Sequence, residues 1–315
     1  MMKKKLVILT GPTAVGKTEL SIRLAKAIDG EIISADSIQV YKGMDVGSAK
    51  ITPLEMQGVT HYLIDELTPD QEFNVHQFQK LTKQYMDQIY AKNKIPIIVG
   101  GTGFYIQSVL YDIQFDATEE SHEYRDYLEA EAATDGGKAL YEKLKEIDPV
   151  SCETIHANNV KRVIRALEYY HETGKKISEH NEEQRKNDSP YNFCYFVLNT
   201  DRQILYNRIN QRVDLMVEQG LEAEVQKLLE QGYAETLPSM QGIGYKEMIA
   251  YLKGECSLEE AIYKIKLNTR HFAKRQLTWF RREKEVTMVD CLQFQNDKNQ
   301  ILDYMLTCLK ERGII

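Results

Sequence analysis

Short apolar runs alternate with longer amphipathic segments over the first hundred residues of the chain. Four runs with many apolar and β-branched residues predict strands, namely KKLVILT (4–10), EIISAD (31–36), THYLIDEL (60–67) and IPIIVGGTG (95–103). The segments GKTELSIRLAKAI (16–28) and 74–93 instead place their apolar residues at helical spacing. Strands that alternate with helices indicate right-handed βαβ units, and so an α/β protein whose parallel sheet is flanked by helices.

The pattern changes after about Asp116. From residue 116 to 190 the segments predict helices and no convincing strand, and NVKRVIRALEYYHETGK ends with Gly174 as a plausible helix C-cap. The run NFCYFVLNT (192–200) then predicts a further strand. The rest of the chain predicts helices near 201–219, 221–231, 244–253, 257–283 and 295–312, with a short strand VTMVD. We therefore predict a catalytic core of residues 1–115 and 191–315, interrupted by a helical insertion domain, 116–190.

Composition and charge narrow the function classes. The 315 residues carry a net charge of −7 and five cysteines without a CxxC pair, which indicates neither a disulfide framework nor a zinc site. No apolar run is long enough to span a bilayer, and LVILT is too short for a signal peptide, so we expect a cytoplasmic protein away from membranes. Basic residues are nevertheless concentrated at 263–286, which predicts a basic face on an acidic protein.

The stretch GPTAVGKT matches the phosphate-binding pattern GxxxxGK[ST] between a predicted strand and a predicted helix. It comprises Gly11, Pro12, Thr13, Ala14, Val15, Gly16, Lys17 and Thr18. The glycines let backbone amides surround an anion, Lys17 brings a positive charge to its outer phosphates, and the Thr18 hydroxyl can ligate Mg²⁺. This predicts a P-loop NTPase-like sheet. The loop alone suggests an ATP-using enzyme, and the absence of an Asn/Thr-Lys-x-Asp motif disfavours a GTPase.

Two further segments are expected at the same edge of the sheet, because ligands lie outside the carboxyl ends of parallel strands. ADSIQVY (35–41) offers Asp36, Ser37 and Gln39, and GGTGFY (100–105) offers Thr102 among glycines. Gln39 can read an amide or nucleobase edge, and Thr102 can donate a hydrogen bond to an anion. A carboxylate opposite a diphosphate suits either a base that takes a proton from an attacking amine or a Mg²⁺ ligand in a kinase. From these residues alone, both roles of Asp36 stay open.

Six segments, in order, resemble those of the bacterial tRNA dimethylallyltransferases, also called tRNA isopentenyl-diphosphate transferases. They are GPTAVGKT, ISADSIQVYKGMDVGSAK, VGGTGFY, NVKRVIRALE, MQGIGYKEM and TRHFAKRQLTWFRR, and they extend over nearly the whole chain. The resemblance implies transfer of a dimethylallyl group from dimethylallyl diphosphate to N6 of adenosine 37 in the tRNA anticodon stem-loop, with release of diphosphate. We expect the enzyme to act as a monomer.

The resemblance also implies roles for individual residues. Gly11 to Thr18 would hold the diphosphate with Mg²⁺, Asp36 would be the general base, and Thr102 would bond the bridging oxygen. Arg212 would contact the diphosphate, so that Asp36, Thr102, Lys17 and Arg212 form the catalytic set. The implied tRNA-binding residues, beside Asp36 and Thr102, are Ser37, Ile38, Gln39, Arg125, Lys161, Arg162, Arg165, Gln241, Gly242, Ile243, Gly244, Tyr245, Lys246, Arg270, Lys274 and Arg281. Trp279 and Phe280 can stack on a base, although a lone tryptophan is more often part of a core.

Three other functions compete with this interpretation. A P-loop small-molecule kinase would explain the phosphate loop and Asp36, but not GGTGFY, QGIGYK or the basic C-terminal helix. A prenyltransferase acting on free AMP would not need the helical insertion. A non-catalytic RNA-binding protein would not need an intact Lys17, Thr18 and Asp36.

Overall fold

The computed structural model describes residues 3–115, 122–185 and 187–315, with the backbone alone at residues 122, 135 and 185. The chain divides into two compact units. The sheet unit comprises the residues up to Leu110 together with Pro190–Ile315, and the helical unit comprises Tyr111–Ser189. Our predicted boundaries follow residues 115 and 190, and residue 116, where the predicted insertion begins, lies outside the described residues.

The sheet has six strands, all parallel, in the order β3-β2-β4-β1-β5-β6. They are β1 (Lys4–Thr10), β2 (Gly30–Ala35), β3 (His61–Tyr62), β4 (Ile95–Gly100), β5 (Tyr191–Asn199) and β6 (Val286–Asp290). This confirms the α/β class. The register aligns Gly100 with both Thr10 and Ala35, so β1, β2 and β4 end side by side. The segments that follow these three strands therefore begin at one edge of the sheet.

The predicted strand over 60–67 is wrong in extent, because only His61–Tyr62 is extended and paired. Leu63 and Asp65 have φ of 60° and 54°, which breaks the strand, and the amide of Leu63 donates to Glu66 Oε1 at 2.6 Å. Leu67 makes only an isolated bridge to Tyr41. The apolar residues of this stretch therefore lie in a turn and not in a continuous strand.

Between residues 3 and 110 the structure has four helices. They are α1 (Lys17–Ala27), α2 (Pro53–Met56), α3 (Val75–Ala91) and α4 (Gly103–Leu110). The helical unit follows with α5 (His122–Asp135), α6 (Lys138–Ile147), α7 (Pro149–Cys152), α8 (Val160–Thr173) and α9 (Ile177–Arg185). Its described residues contain no strand, as predicted. Gly174 ends α8 with a φ of 69°, which confirms it as the C-cap.

The remaining helices belong to the sheet unit. They are α10 (Arg202–Glu218), α11 (Leu221–Glu230), α12 (Tyr245–Leu252), α13 (Leu258–Phe280) and α14 (Lys298–Glu311), with a 3-10 turn at Cys291–Phe294. Each of the five predicted C-terminal helices has one of these as its counterpart. None of the helices in the described ranges has the length and apolar character that a membrane crossing requires.

Each unit has its own apolar core. In the sheet unit, Leu20 of α1 and Met305 of α14 are fully buried in one cluster with Val7, Leu9 and Phe196 of the sheet. The helical unit has a smaller cluster, formed by Leu128, Ala132, Leu140, Leu144, Val163, Ile164, Ala166 and Leu167. Burial of apolar side chains is the main favourable term in folding, and the larger cluster therefore anchors the strands that carry the site.

Candidate active site

The phosphate loop connects β1 to α1, as the sequence predicts. Gly16 is the N-cap of α1, with a φ of 102° that side chains rarely tolerate, and no side chain caps the helix. The first amides of a helix have no partner within it, and the helix dipole favours negative charge there. The amides of Lys17 and Thr18 are therefore available to an anion, and the Thr18 side chain is exposed.

Lys17 folds back over the loop that precedes it. Its Nζ donates to the carbonyl oxygens of Gly11 and Pro12, both at 2.9 Å. The pKa of Lys17 falls to about 7, chiefly because burial disfavours its charged form, with the positive charge of Arg212 adding to the effect and Asp36 opposing it. Burial likewise lowers the pKa of Arg212, again against the carboxylate of Asp36. Two cations thus lie in the field of a single carboxylate, and the net positive charge suits binding of an anion.

Asp36 follows directly after β2 and is held by its own turn. Its Oδ1 accepts hydrogen bonds from the amides of Ile38 at 2.9 Å and Gln39 at 3.2 Å. Oδ2 accepts no hydrogen bond from the residues that the structure describes. One oxygen fixes the carboxylate and the other is available to accept a proton or to ligate a metal ion.

Thr102 lies beside Asp36, at the end of the neighbouring strand. Its amide donates to the carbonyl of Ala35 at 3.2 Å, and its own carbonyl accepts from Tyr105 and Ile106 as α4 begins. The side chain is partly exposed. The sheet unit therefore brings together the phosphate loop, Asp36, Thr102 and Arg212, which come from four separate parts of the sequence.

Comparison with known proteins gives this arrangement a family. The family model described as IPP transferase matches residues 39–283. This chain belongs to the IPP transferase family. It is 60% identical to the tRNA dimethylallyltransferase of Lachnoclostridium phytofermentans over 98% of this chain and 99% of that one. It is 52% identical to that of Acetivibrio thermocellus over 94% of each chain.

Solved structures of IPP transferase relatives have the same fold. The full-length tRNA isopentenylpyrophosphate transferase of Bacillus halodurans is 45% identical with a TM-score of 0.74, covering 99% of this chain and 98% of its own. That of Staphylococcus epidermidis is 43% identical, with a TM-score of 0.72, covering 98% and 100%. A eukaryotic dimethylallyltransferase acting on tRNA is 32% identical, with a TM-score of 0.78, covering 91% of this chain and 74% of its own.

Gln39 differs from the expectation for an IPP transferase adenine site. Its Nε2 donates to the carbonyls of Ser48 and Ala49, and its Oε1 accepts from Ser34 Oγ, all at 3.3 Å. The amide that we expected to read a nucleobase edge is engaged in bracing its own loop. Its neighbours Ser37 and Ile38 are only partly buried and remain beside Asp36.

Tyr245 also requires a correction. Its side chain is 1% exposed, and its hydroxyl donates to Glu224 Oε1 at 2.9 Å, so the ring is part of the core rather than a surface for RNA. Glu224 in turn accepts from the amides of Asp45 (2.8 Å), Val46 (2.7 Å) and Gly47 (3.0 Å). The predicted segment 241–246 therefore includes a residue that holds the loop after Asp36, and sequence reasoning missed Glu224 altogether.

The other predicted members of that segment lie around Tyr245. Gln241 Nε2 donates to the carbonyl of Glu235 at 2.7 Å, and a Cβ added at Gly242 would lie 3.3 Å from the side chain of Ile38. The amide of Gly244 donates to Glu247 Oε2 at 2.8 Å, which caps α12. Ile243 is partly buried and Lys246 is exposed. Through Tyr245 and Glu224, the segment packs beside the loop that follows Asp36.

Helix α13 carries Arg270 and Lys274, two of the basic residues predicted to contact tRNA, and Arg281 follows it directly. Arg270 Nη1 donates to Asn210 Oδ1 at 2.7 Å, and Arg281 is exposed just beyond the helix. An open recess of about 370 Å³ is lined by His271, Lys274, Arg275, Thr278, Trp279 and Arg282. Trp279 is only partly buried and meets Phe104 edge-on, with ring centroids 6.2 Å apart. Trp279 was not among the predicted site residues, although its indole forms a wall of a basic recess.

The remaining predicted basic residues lie in the helical unit. Arg125 and Arg165 both pair with Glu168 Oε2, at 2.8 Å and 2.9 Å, and Glu168 is buried. Lys161 and Arg162 are exposed at the start of α8. Half of this group therefore has its charge partly neutralised within the unit.

The described residues offer few protein ligands for a metal ion. The described residues include no group of three or more His, Cys, Asp or Glu that can hold one. The exposed Thr18 hydroxyl and the free oxygen of Asp36 are compatible with a Mg²⁺ that takes most of its ligands from a bound diphosphate and water.

Proposed function

We propose that this chain transfers a dimethylallyl group from dimethylallyl diphosphate to N6 of adenosine 37 in tRNA and releases diphosphate. The observation that carries the proposal is the meeting of a phosphate loop, two half-buried cations and a carboxylate with one unengaged oxygen at a single sheet edge. The names of the IPP transferase relatives, tRNA dimethylallyltransferase and dimethylallyltransferase acting on tRNA, supply the substrate class.

The reaction needs stabilisation of the leaving diphosphate on one side of the reacting carbon and a correctly placed nucleophile on the other. An exocyclic adenine amine is a poor nucleophile, so breaking the bond between the allylic carbon and the bridging oxygen must run ahead of attack. Lys17, Arg212, Thr102 and the loop amides stabilise the negative charge that develops on the leaving diphosphate. Mg²⁺, when bound at Thr18, supplies further positive charge to the diphosphate oxygens.

Asp36 removes the proton that the amine must lose. As the nitrogen–carbon bond forms, N6 becomes positively charged, and the free Oδ2 of Asp36 accepts its proton while Oδ1 stays on its turn. The diphosphate departs with the electron pair of the broken carbon–oxygen bond. The target base must leave its stack to reach such a site, which costs a few kcal/mol. The basic side chains of the α13 recess, Lys246, and Lys161 and Arg162 of α8 offer positive charge for tRNA phosphate contacts.

Transfer of radiolabelled dimethylallyl diphosphate tests the proposal. The protein is incubated with Mg²⁺ and unmodified tRNA carrying adenosine at positions 36 and 37, and separately with the same tRNA carrying guanosine at 37. We expect label in the first tRNA alone. AMP and ATP serve as further arms. Label in AMP but not in tRNA would identify a free-nucleotide prenyltransferase, and ATP consumption without transfer of label would identify a kinase.

A further inference from the structure

Gln276 bridges two segments of the site that are distant in sequence. It lies on α13 with 6% of its surface exposed. Its Oε1 accepts from the amide of Thr13 in the phosphate loop at 2.9 Å, and its Nε2 donates to the carbonyl of Gly101 at 3.0 Å. A single primary amide thus ties the loop that binds the phosphates to the turn that carries Thr102.

The backbone at this turn is fitted to α13. A Cβ at Gly101 would overlap Gln276 Nε2, and one at Gly103 would overlap the indole ring of Trp279. Gln276 and Trp279 are three residues apart and so lie on one face of the helix. Thr102 is therefore flanked by two glycines that both approach the same helix face closely, which leaves the turn little freedom to move.

The bridge needs a side chain that donates and accepts at once. A glutamine amide does this with two different atoms, whereas a carboxylate only accepts and a methionine does neither with comparable strength. Because the amide is buried, water cannot readily replace it, and loss of the bridge leaves the Thr13 amide and the Gly101 carbonyl without these partners. The phosphate loop and Thr102 would then no longer be fixed relative to each other.

We propose that Gln276 is a positioning residue for the transfer reaction, holding the phosphate loop and Thr102 at the separation needed to grip one diphosphate from both sides. This rests on the function proposed above. A misplacement of about 1 Å within a catalytic site can reduce turnover by roughly a hundredfold. The effect is expected on kcat and on diphosphate binding, and not on the KM for tRNA.

Two substitutions of similar size test the bridge. Gln276→Met removes both hydrogen bonds, and we expect kcat to fall roughly 10- to 100-fold with the KM for tRNA within about threefold of the wild type. Gln276→Glu keeps the acceptor for Thr13 but sets an oxygen against the Gly101 carbonyl, and it should weaken binding of inorganic diphosphate in a calorimetric titration more than Gln276→Met does. If one variant does not fold, the other still tests whether the Gln276 bridge positions the site. Wild-type kcat and diphosphate affinity in a folded variant would overturn the proposal.

Gln79→Met is the matched control, because Gln79 is 7% exposed and its Nε2 donates to the carbonyl of Ser108 at 2.7 Å in the same unit. It should lower Tm as Gln276→Met does while kcat and diphosphate affinity stay unchanged; equal losses of kcat in both variants would reduce Gln276 to a structural role.

A double substitution adds an independent test. Gly101→Ala displaces the Gln276 amide, so Gly101→Ala, Gln276→Met and the double variant should lose similar amounts of kcat, whereas multiplied losses would contradict a shared bridge. Failure of the wild type to prenylate tRNA would refute the proposed function, while the diphosphate titrations would still test the bridge by themselves.

Discussion

Asp36 in the sheet unit and Asp148 in the helical unit both stabilise a turn, but they use their oxygens differently. Asp148 is 1% exposed, and both of its oxygens are engaged: Oδ1 accepts from Ser151 N and Ser178 Oγ, and Oδ2 accepts from Ser151 Oγ and Ser178 N. Asp36 engages only Oδ1, and it faces Lys17 and Arg212. A carboxylate with both oxygens occupied holds structure, whereas one with a free oxygen beside cations can take part in chemistry.

Lys17 and Arg212 near Asp36 also differ from the two arginines that meet Glu168. In the helical unit, a hydrogen bond from Arg125 to Glu168 raises the pKa of Arg125. Burial alone would raise the pKa of Glu168, but Arg125 and Arg165 outweigh it and lower that pKa. In the sheet unit the pKa values of Lys17 and Arg212 are lowered, because burial is not offset by a carboxylate for each. The charges of Arg125 and Arg165 are therefore balanced by Glu168 within the helical unit, whereas the charges of Lys17 and Arg212 are available to a bound anion.

The largest loss of turnover is expected from Asp36→Asn. The amide oxygen of the new side chain can keep the turn, but the group no longer accepts a proton, and kcat should fall by roughly 10²- to 10⁴-fold. Binding of inorganic diphosphate should be unchanged or tighter, because a negative charge near the anion has been removed. Single-turnover transfer and calorimetric titration measure the two quantities. If diphosphate affinity collapses, Asp36 is a metal ligand or a structural group like Asp148.

The reverse result is expected for Asp148→Asn. The new NH₂ group cannot accept the two donors that face one oxygen, and buried donors without acceptors should cost roughly 2–4 kcal/mol of stability. Hydrogen exchange should report the loss within residues 122–185 and little change at the sheet-unit strands. Transfer chemistry in single turnovers with saturating tRNA should fall far less than in Asp36→Asn.

Acid should distinguish Asp148 from its amide variant. Burial would raise the pKa of Asp148, but the hydrogen bonds from Ser151 and Ser178 outweigh it and lower that pKa. The stability that this carboxylate provides is present above its unfolded-state pKa of about 4 and is lost as pH falls through the lower folded-state value. Asp148→Asn should lack this part of the acid dependence, and an identical acid profile in both proteins would contradict the structural role.

The sequence predicts the elements of this fold more completely than its contacts. Strand and helix patterns are local, so they suffice to place the phosphate loop, Asp36 and Thr102 at one sheet edge. The strand predicted at 60–67 was wrong in extent because Leu63 and Asp65 have positive φ values. These values belong to a turn, which the pattern of apolar residues along the sequence does not reveal. Gln276 and Glu224 were missed because the backbone groups that they bind lie 263 and about 178 residues away.

The same limit explains the corrections at Gln39 and Tyr245. Both belong to segments that the family resemblance assigns to the tRNA site, and a segment match cannot tell a side chain that faces a ligand from one that supports its neighbour. The Tyr245 hydroxyl meets Glu224, and the Gln39 amide meets Ser48 and Ala49. Such burial and bonding depend on packing between distant segments, which a local pattern does not encode.

A smaller effect concerns the protonation of Lys17. With a pKa of about 7 in the free protein, Lys17 is partly neutral above pH 7, whereas a bound diphosphate requires its charged form. Affinity for diphosphate should therefore fall as pH rises above 7, by up to about tenfold per pH unit. Calorimetry in buffers of different ionisation enthalpy should register proton uptake on binding.

Lys17→Arg is the control for this titration, because an arginine stays charged over the whole range. Any pH dependence that remains in the variant belongs to diphosphate itself, and the difference belongs to Lys17. Since the unfolded chain holds the Lys17 proton up to about pH 10.4, the stability of the ligand-free wild type should also rise with pH between about 7 and 10.4. Equal slopes in the wild type and the variant would show that Lys17 is already charged before diphosphate binds.

The smallest effect is expected on tRNA affinity, from substitutions of two arginines on α8. Arg162 is exposed and makes no ion pair with the described residues, whereas Arg165 shares Glu168 with Arg125. If the helical unit meets tRNA phosphates, Arg162→Gln should weaken tRNA binding a few-fold and reduce the salt slope of log K by about one. Arg165→Gln should do less, because its charge is already balanced within the unit. Binding isotherms at several salt concentrations measure both effects. Equal losses of affinity would mean that Arg165 leaves Glu168 to contact the RNA. Pairing within the protein would then not predict which cations bind tRNA phosphates.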